Sequence, residues 1–235
     1  MTRIQSVILV AVLVLTNTLP GYAQVGYLLY LPYLEQAQLR LGNSQLSYSY
    51  DVVLKNEKTG KTIDSISGRL LKYRKSFMDS NRQSMVFLHQ GVLVKADHQR
   101  KTALVCDIGK VQKMMGLQPE DFHASYADIP DSMINRISEI STRETGDRLE
   151  ITYTIRPGNG ALKSLLLVFN RKDMNLLSLE MVLADTEMSG YEKKYRIFGI
   201  RTDSSLPTKE QYVLIEKGKA TLTGSMKNYT LNTIL

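Results

Sequence analysis

The chain has 235 residues, a formal net charge of +7, 43% hydrophobic residues, one cysteine and no tryptophan. A single cysteine excludes an internal disulfide framework. The basic residues, among them Lys55, Lys58, Lys61, Lys72, Arg100, Lys101, Lys193, Lys194 and Arg196, are scattered without interleaved aromatics, so the charge does not describe a nucleic-acid surface. It suits either mild attraction to anionic membranes or acidic partners, or Lys-rich strand edges that discourage aggregation.

The first residues read as an export signal. Arg3 precedes the uncharged apolar run Val7 to Leu15, and Pro20, Gly21, Tyr22 and Ala23 follow. A basic start, a short apolar core, a helix breaker and small residues at −3 and −1 form the secretory pattern. Cleavage after Ala23 is expected, leaving one domain, residues 24–235. The run is far shorter than the roughly 20 residues that span a bilayer. No cysteine follows it to be lipidated, so the predicted product is a soluble protein outside the cytoplasm.

The mature chain is expected to open with a helix. Pro32 suits its first turn, Leu34, Ala37 and Leu41 share a face, and Gly42-Asn43 close it. From Gln45 the period changes to two. Leu46, Tyr48, Tyr50, Val52 and Leu54 alternate with smaller or polar residues and predict a one-faced strand. Asn56 to Gly60 is a turn, and Thr62 to Arg74 returns. Short strands are expected at Ser76–Asp79, Ser84–His89, Gly91–Ala96 and Thr102–Asp107, joined too closely for crossovers. Between Gly109 and Gly146 the spacing of Met133, Ile137 and Ile140 predicts one to three short helices. Strands then resume. Leu149, Ile151, Tyr153 and Ile155 alternate, Leu165, Leu167 and Phe169 share a face, and so do Leu177, Leu179, Met181 and Leu183. Lys194 to Thr202, Gln211 to Glu216 and a weaker Lys219 to Leu231 complete the chain. The expected architecture is α+β and mainly antiparallel, a single twisted sheet with helices on its inner face.

No constellation marks a reaction, and the chain is expected to be non-catalytic. Thr59-Gly60-Lys61-Thr62 resembles the end of a phosphate-binding loop, but Lys55 stands where that loop needs glycine, and two strands flank it. His89, His98 and His123 lack the clustering of zinc ligands, so neither a metal nor a cofactor is expected. Asp97-His98 lies in a tight polar turn. Glu120-Asp121 suits a helix first turn. Cys106, within Ala103-Leu104-Val105-Cys106, reads as a buried hydrophobe.

The apolar sheet face remains. It carries Leu46, Tyr48, Tyr50, Val52, Leu149, Ile151, Tyr153, Leu167, Phe169, Leu179 and Met181. Helices packed fully over it make a core; helices that cap it in part leave a cavity fit for acyl chains or an apolar peptide.

The stretch Gly68 to Val105 resembles the periplasmic lipoprotein carriers of the LolA type. Gly68, the apolar Leu70-Leu71, the basic Arg74 and the aromatic Phe77 stand in the family's order, and Ser84 to Val94 continues it. The hairpin from Leu166 to Met181, and a following strand that ends near Pro207, resemble the family's second half. Lys75 stands where the family usually has proline, and its common tryptophans are missing. The resemblance implies an incomplete β-barrel closed by a helical lid in a bacterial periplasm. It implies an acyl chain, lipid or lipidated protein as cargo, with the eleven face positions above lining the cavity. Either Arg74 or Arg69 would match the family's inward arginine, linked to opening of the lid. A structural component of an envelope assembly, with a packed interior, is the alternative.

Overall fold

The computed structural model describes residues 21–43, 45–115, 136–156, 162–184, 190–202 and 205–235. A helix, α1 (Gly21–Leu41), leads into β1 (Gln45–Asn56) and β2 (Thr62–Tyr73). The turn between them is built by Asn56, whose Oδ1 accepts from the backbone N–H of Lys58 and Thr59, and by Gly60 at φ +66. This is the Thr59–Thr62 stretch, and it is a hairpin turn. Then come β3 (Ser76–Asn81), β4 (Ser84–His89), β5 (Val92–Asp97), β6 (Thr102–Asp107) and the short helix α2 (Ile108–Met115). The second run comprises β7 (Ile137–Thr145), β8 (Arg148–Ile155), β9 (Leu162–Asn170), β10 (Leu176–Ala184) and β11 (Tyr191–Arg201). A small hairpin, β12 (Val213–Glu216) and β13 (Lys219–Leu222), and the final strand β14 (Thr230–Ile234) end the chain.

Twelve strands form one sheet in the order β14-β6-β5-β4-β3-β2-β1-β11-β10-β9-β8-β7. Among the described residues its ends, β7 and β14, do not pair with each other, so the sheet is open. Every neighbour is antiparallel except β14, which runs parallel to β6. The sheet therefore consists of two meanders joined where β1 meets β11.

The register fixes the faces. Tyr50 lies opposite Ile197, Ile197 opposite Leu179, Leu179 opposite Leu167, and Leu167 opposite Ile151. One face, here the inner face, thus carries the buried side chains of β8 to β11 and β1, and Leu34, Ala37 and Leu41 of α1 pack onto them. In the other meander the buried Met85, Phe87, Val94, Ala96, Ala103 and Val105 lie on the opposite, outer face. There Val213, Leu222 and Met226 cover them. One sheet thus has two cores on opposite faces, one under a helix and one under a hairpin. Each fully buried aliphatic side chain is worth about 1.5–3 kcal/mol of burial.

Several elements differ from the sequence expectation. The helix begins at Gly21 and keeps Pro32 inside it. The spacing of Ile137 and Ile140 belongs to a strand, not a helix. β7 is an edge strand with only Ile137 buried, so its few apolar contacts leave no period-two signature. Met133, Glu120, Asp121 and His123, with the other helices expected there, lie outside the described residues. In β10 a bulge between Leu176 and Ser178 turns Leu176 into the core and leaves Leu177 exposed. The single strand expected over 219–231 is divided by a 3-10 turn at Gly224–Met226.

Candidate apolar binding face

All eleven positions read from the sequence fall on the inner face. All but Tyr50 and Val52 are buried, and they pack under α1. Tyr33 of α1 meets Phe169 edge-on at 5.2 Å between ring centres, and the Tyr153 hydroxyl donates to the Tyr30 carbonyl at 3.3 Å. This part of the face is close-packed core beneath the helix. The two arginines stand apart from it. Arg69 pairs with Ser49 and Ser80 and belongs to the outer face. Arg74 occupies the β2–β3 turn at φ +54, with its guanidinium over the Tyr73 ring.

The inner face does not stop at β1. Leu70 lies opposite Tyr48, Asp79 opposite Leu70, Val86 opposite Asp79, Lys95 opposite Val86, and Leu104 opposite Lys95. In the next row Phe77, Leu88, Leu93 and Cys106 follow Leu46 and Lys72. Leu70, Phe77, Val86, Leu93 and Leu104 are half-buried. The apolar strip therefore continues past the described packing of α1. Periodicity could not reveal this, because β4 to β6 are apolar on both sides and read as continuous runs. Only the pairing to β1 assigns Val86 and Leu104 to the inner face.

Charged groups interrupt that strip, Asp79 and Lys95 in the first row and Lys72 in the second, and Asp79 is the carboxylate among them. The Tyr50 hydroxyl donates to Asp79 Oδ1 at 2.7 Å, and Asn81 Nδ2 donates to the same hydroxyl at 3.5 Å. The ring crosses β2 above Gly68, where a Cβ would come within 2.5 Å of Tyr50 Cζ. Burial pushes the Asp79 carboxyl above the ordinary aspartate value, and the Tyr50 hydrogen bond partly offsets this.

Beyond Asn81, at the rim of the sheet, lies a cleft of about 470 Å3 lined by Ser65, Ile66, Ser67, Asn81, Arg82, Gln83 and Gln99. Its lining offers no carboxylate, imidazole or thiol for acid–base work. The other reactive side chains are spread out. His89 Nδ1 meets Ser76 Oγ at 3.1 Å and His98 Nδ1 meets Tyr229 Oη at 3.0 Å. Asp97 Oδ1 accepts from the backbone N–H of Gln99 and Arg100 as a turn builder. The Arg100 N–H is the main cause of its lowered pKa. Cys106 is buried, and that burial, with Asp107 beside it, raises its thiol pKa, so it is a poor nucleophile. Among the described residues no three His, Cys, Asp or Glu side chains gather as metal ligands, and no helix is long and apolar enough to cross a membrane.

No protein-family model matches the sequence, and no curated protein matches it. Solved structures do. An uncharacterized conserved protein from Thermus thermophilus is 9% identical, with 86% of this chain and 97% of that one covered at a TM-score of 0.41. A LolA superfamily protein from Nitrosomonas europaea is 8% identical, covering 74% and 94% at a TM-score of 0.32. Lipoprotein LppX from Mycobacterium tuberculosis is 9% identical, covering 73% and 94% at 0.36. A LolA superfamily protein and a mycobacterial lipoprotein are thus among the solved structures to which this chain is similar.

Proposed function

We propose that residues 24–235 form a single exported, non-catalytic domain that binds a lipid, an acylated protein or another apolar ligand against the inner face of its open sheet, in a periplasm. The observation that carries this reading is the extent of the inner face, on which Leu70, Val86 and Leu104 alternate with Asp79 and Lys95. The row from Tyr48 through Leu70, Val86 and Leu104 extends the floor laid down by β8 to β11 beyond the described packing of α1. The half-buried apolar side chains of these rows gain from any further cover at about 25 cal/mol per Å2, and an acyl chain is a suitable cover. The nine buried positions among the eleven read from the sequence form the helix-covered end of this floor, and a ligand that displaces part of α1 would reach them.

A second reading rests on the tight packing of that end. With Ile151, Leu167, Phe169 and Leu179 fully buried under the helix, the domain would serve as a structural or interaction component of a cell envelope. Solvent extraction separates the two. The mature protein, purified without detergent from exporting cells, should yield a stoichiometric amphiphile by mass spectrometry. A lipid-free extract, together with no fluorescence gain from added diphenylhexatriene, would favour the packed alternative.

A further inference from the structure

Asp79 is out of place on an apolar floor. Its direct cross-strand neighbours on the inner face are Leu70 and Val86, and burial raises its pKa. Of its two oxygens, Oδ1 accepts from Tyr50, and among the described residues Oδ2 has no hydrogen-bond partner. Lys72 lies diagonally from it on β2 and Lys95 one strand beyond Val86 on the same face, and neither forms an ion pair with it. A half-buried acceptor without a donor is costly once water leaves it, and a cover made only of hydrocarbon would strand it.

We infer that Asp79 selects the ligand: the apolar face takes an amphiphile that bears an N–H or O–H donor, neutral or cationic, next to its chain, and Asp79 Oδ2 receives that donor. Tyr50 acts as a positioning residue. Its hydroxyl holds Oδ1 and so leaves Oδ2 as the acceptor for a ligand, and Gly68 leaves the space its ring needs. A carboxylate-headed amphiphile brings like charge to Asp79 and no donor, so it is rejected.

This inference rests on the binding role of the inner face, and one experiment tests them separately. The mature protein is loaded with diphenylhexatriene, which has no donor, and the probe is displaced with decylamine, decanol or decanoate. The amine and the alcohol should compete at concentrations about tenfold below decanoate, in line with one hydrogen bond to a charged acceptor. The formal charge of +7 on the whole chain would by itself favour the anion, so this order is diagnostic. Asp79→Leu should abolish the preference and tighten diphenylhexatriene binding by about tenfold, because the hydrocarbon then no longer strands a half-buried carboxylate. Tyr50→Phe, which loses the hydroxyl that holds Oδ1 but keeps the ring and the carboxyl, should weaken the preference without abolishing it; an order of competition unchanged from the parent would remove Tyr50's positioning role. Equal competition by all three compounds, or an unchanged order in Asp79→Leu, overturns the inference and leaves apolar binding standing. Failure of diphenylhexatriene to bind at all overturns both.

Discussion

Tyr50 and Asp79 are joined by a 2.7 Å hydrogen bond that spans an intervening strand. The bridge is possible because the residue opposite Tyr50 on that strand is Gly68, over which the ring passes. An added Cβ there would lie 2.5 Å from Tyr50 Cζ and Oη and 2.8 Å from the Ser80 carbonyl oxygen. Gly68→Ala should therefore push the ring aside and cost about 1–3 kcal/mol. In urea denaturation the Gly68→Ala/Tyr50→Ala double variant should lose less than the sum of the singles, since removal of the ring relieves part of the clash.

Asp79 also sets a pH dependence. Its folded pKa is raised by desolvation above the ordinary value of 3.8. The native state then binds the proton more readily than the unfolded chain, so its contribution to stability falls as pH rises from about that value through the folded pKa. Asp79→Asn, whose amide oxygen still accepts from Tyr50, should gain stability over the parent above this window. The gap should close on acidification. Asp97 has the opposite sign. Its folded pKa is lowered, chiefly by the Arg100 N–H, so its stabilisation is present above 3.8 and lost as pH falls through the folded value. Asp97→Asn should therefore lose stability relative to the parent at neutral pH, and urea midpoints of the two variants between pH 3 and 8 should diverge in opposite directions.

The two cores share no residue and lie on opposite faces. Leu167→Ala in the first and Val94→Ala in the second should each destabilise, the former by about 2–5 kcal/mol. Their effects should add to within about 0.5 kcal/mol in the double variant. A strongly non-additive result would mean that the two faces do not pack independently.

Export is tested by the mass of the secreted product. Processing after Ala23 would remove the first residues of α1 and leave Leu34, Ala37 and Leu41, which hold it to the sheet. The mature N-terminus should be Gln24 by sequencing, with thermal stability close to that of a chain made without the leader. A start elsewhere would contradict cleavage after Ala23.

Much of this architecture is legible in the residues. Leu149, Ile151 and Tyr153 alternate with Glu150, Thr152 and Thr154 because their strand is buried on one side only. Asn56 and Gly60 announce a turn by their chemistry. What period and turn chemistry cannot convey is pairing. Ile137 and Ile140 fit a helical spacing by coincidence, and only β8 beside them makes a strand of that segment. Leu177 reads as core until a bulge exchanges it with Leu176. Met85, Val86, Phe87 and Leu88 are apolar on both sides, so local sequence does not say which of them join the inner face. Asp79, the carboxylate within the strip, reads in sequence only as the end of a short strand, because its neighbours Leu70 and Val86 are set by register alone.

The most direct test of the apolar face is a diphenylhexatriene titration of the mature protein beside its Val86→Asp and Leu104→Asp variants. Both positions lie on the inner face outside the two packed cores. The parent should bind the probe saturably, and each charge should weaken binding at least about tenfold, because a bound hydrocarbon would bury an unpaired carboxylate. Circular dichroism and urea midpoints should show the variants folded. Equal binding by parent and folded variants, or no saturable binding by the parent, would contradict a ligand on this face.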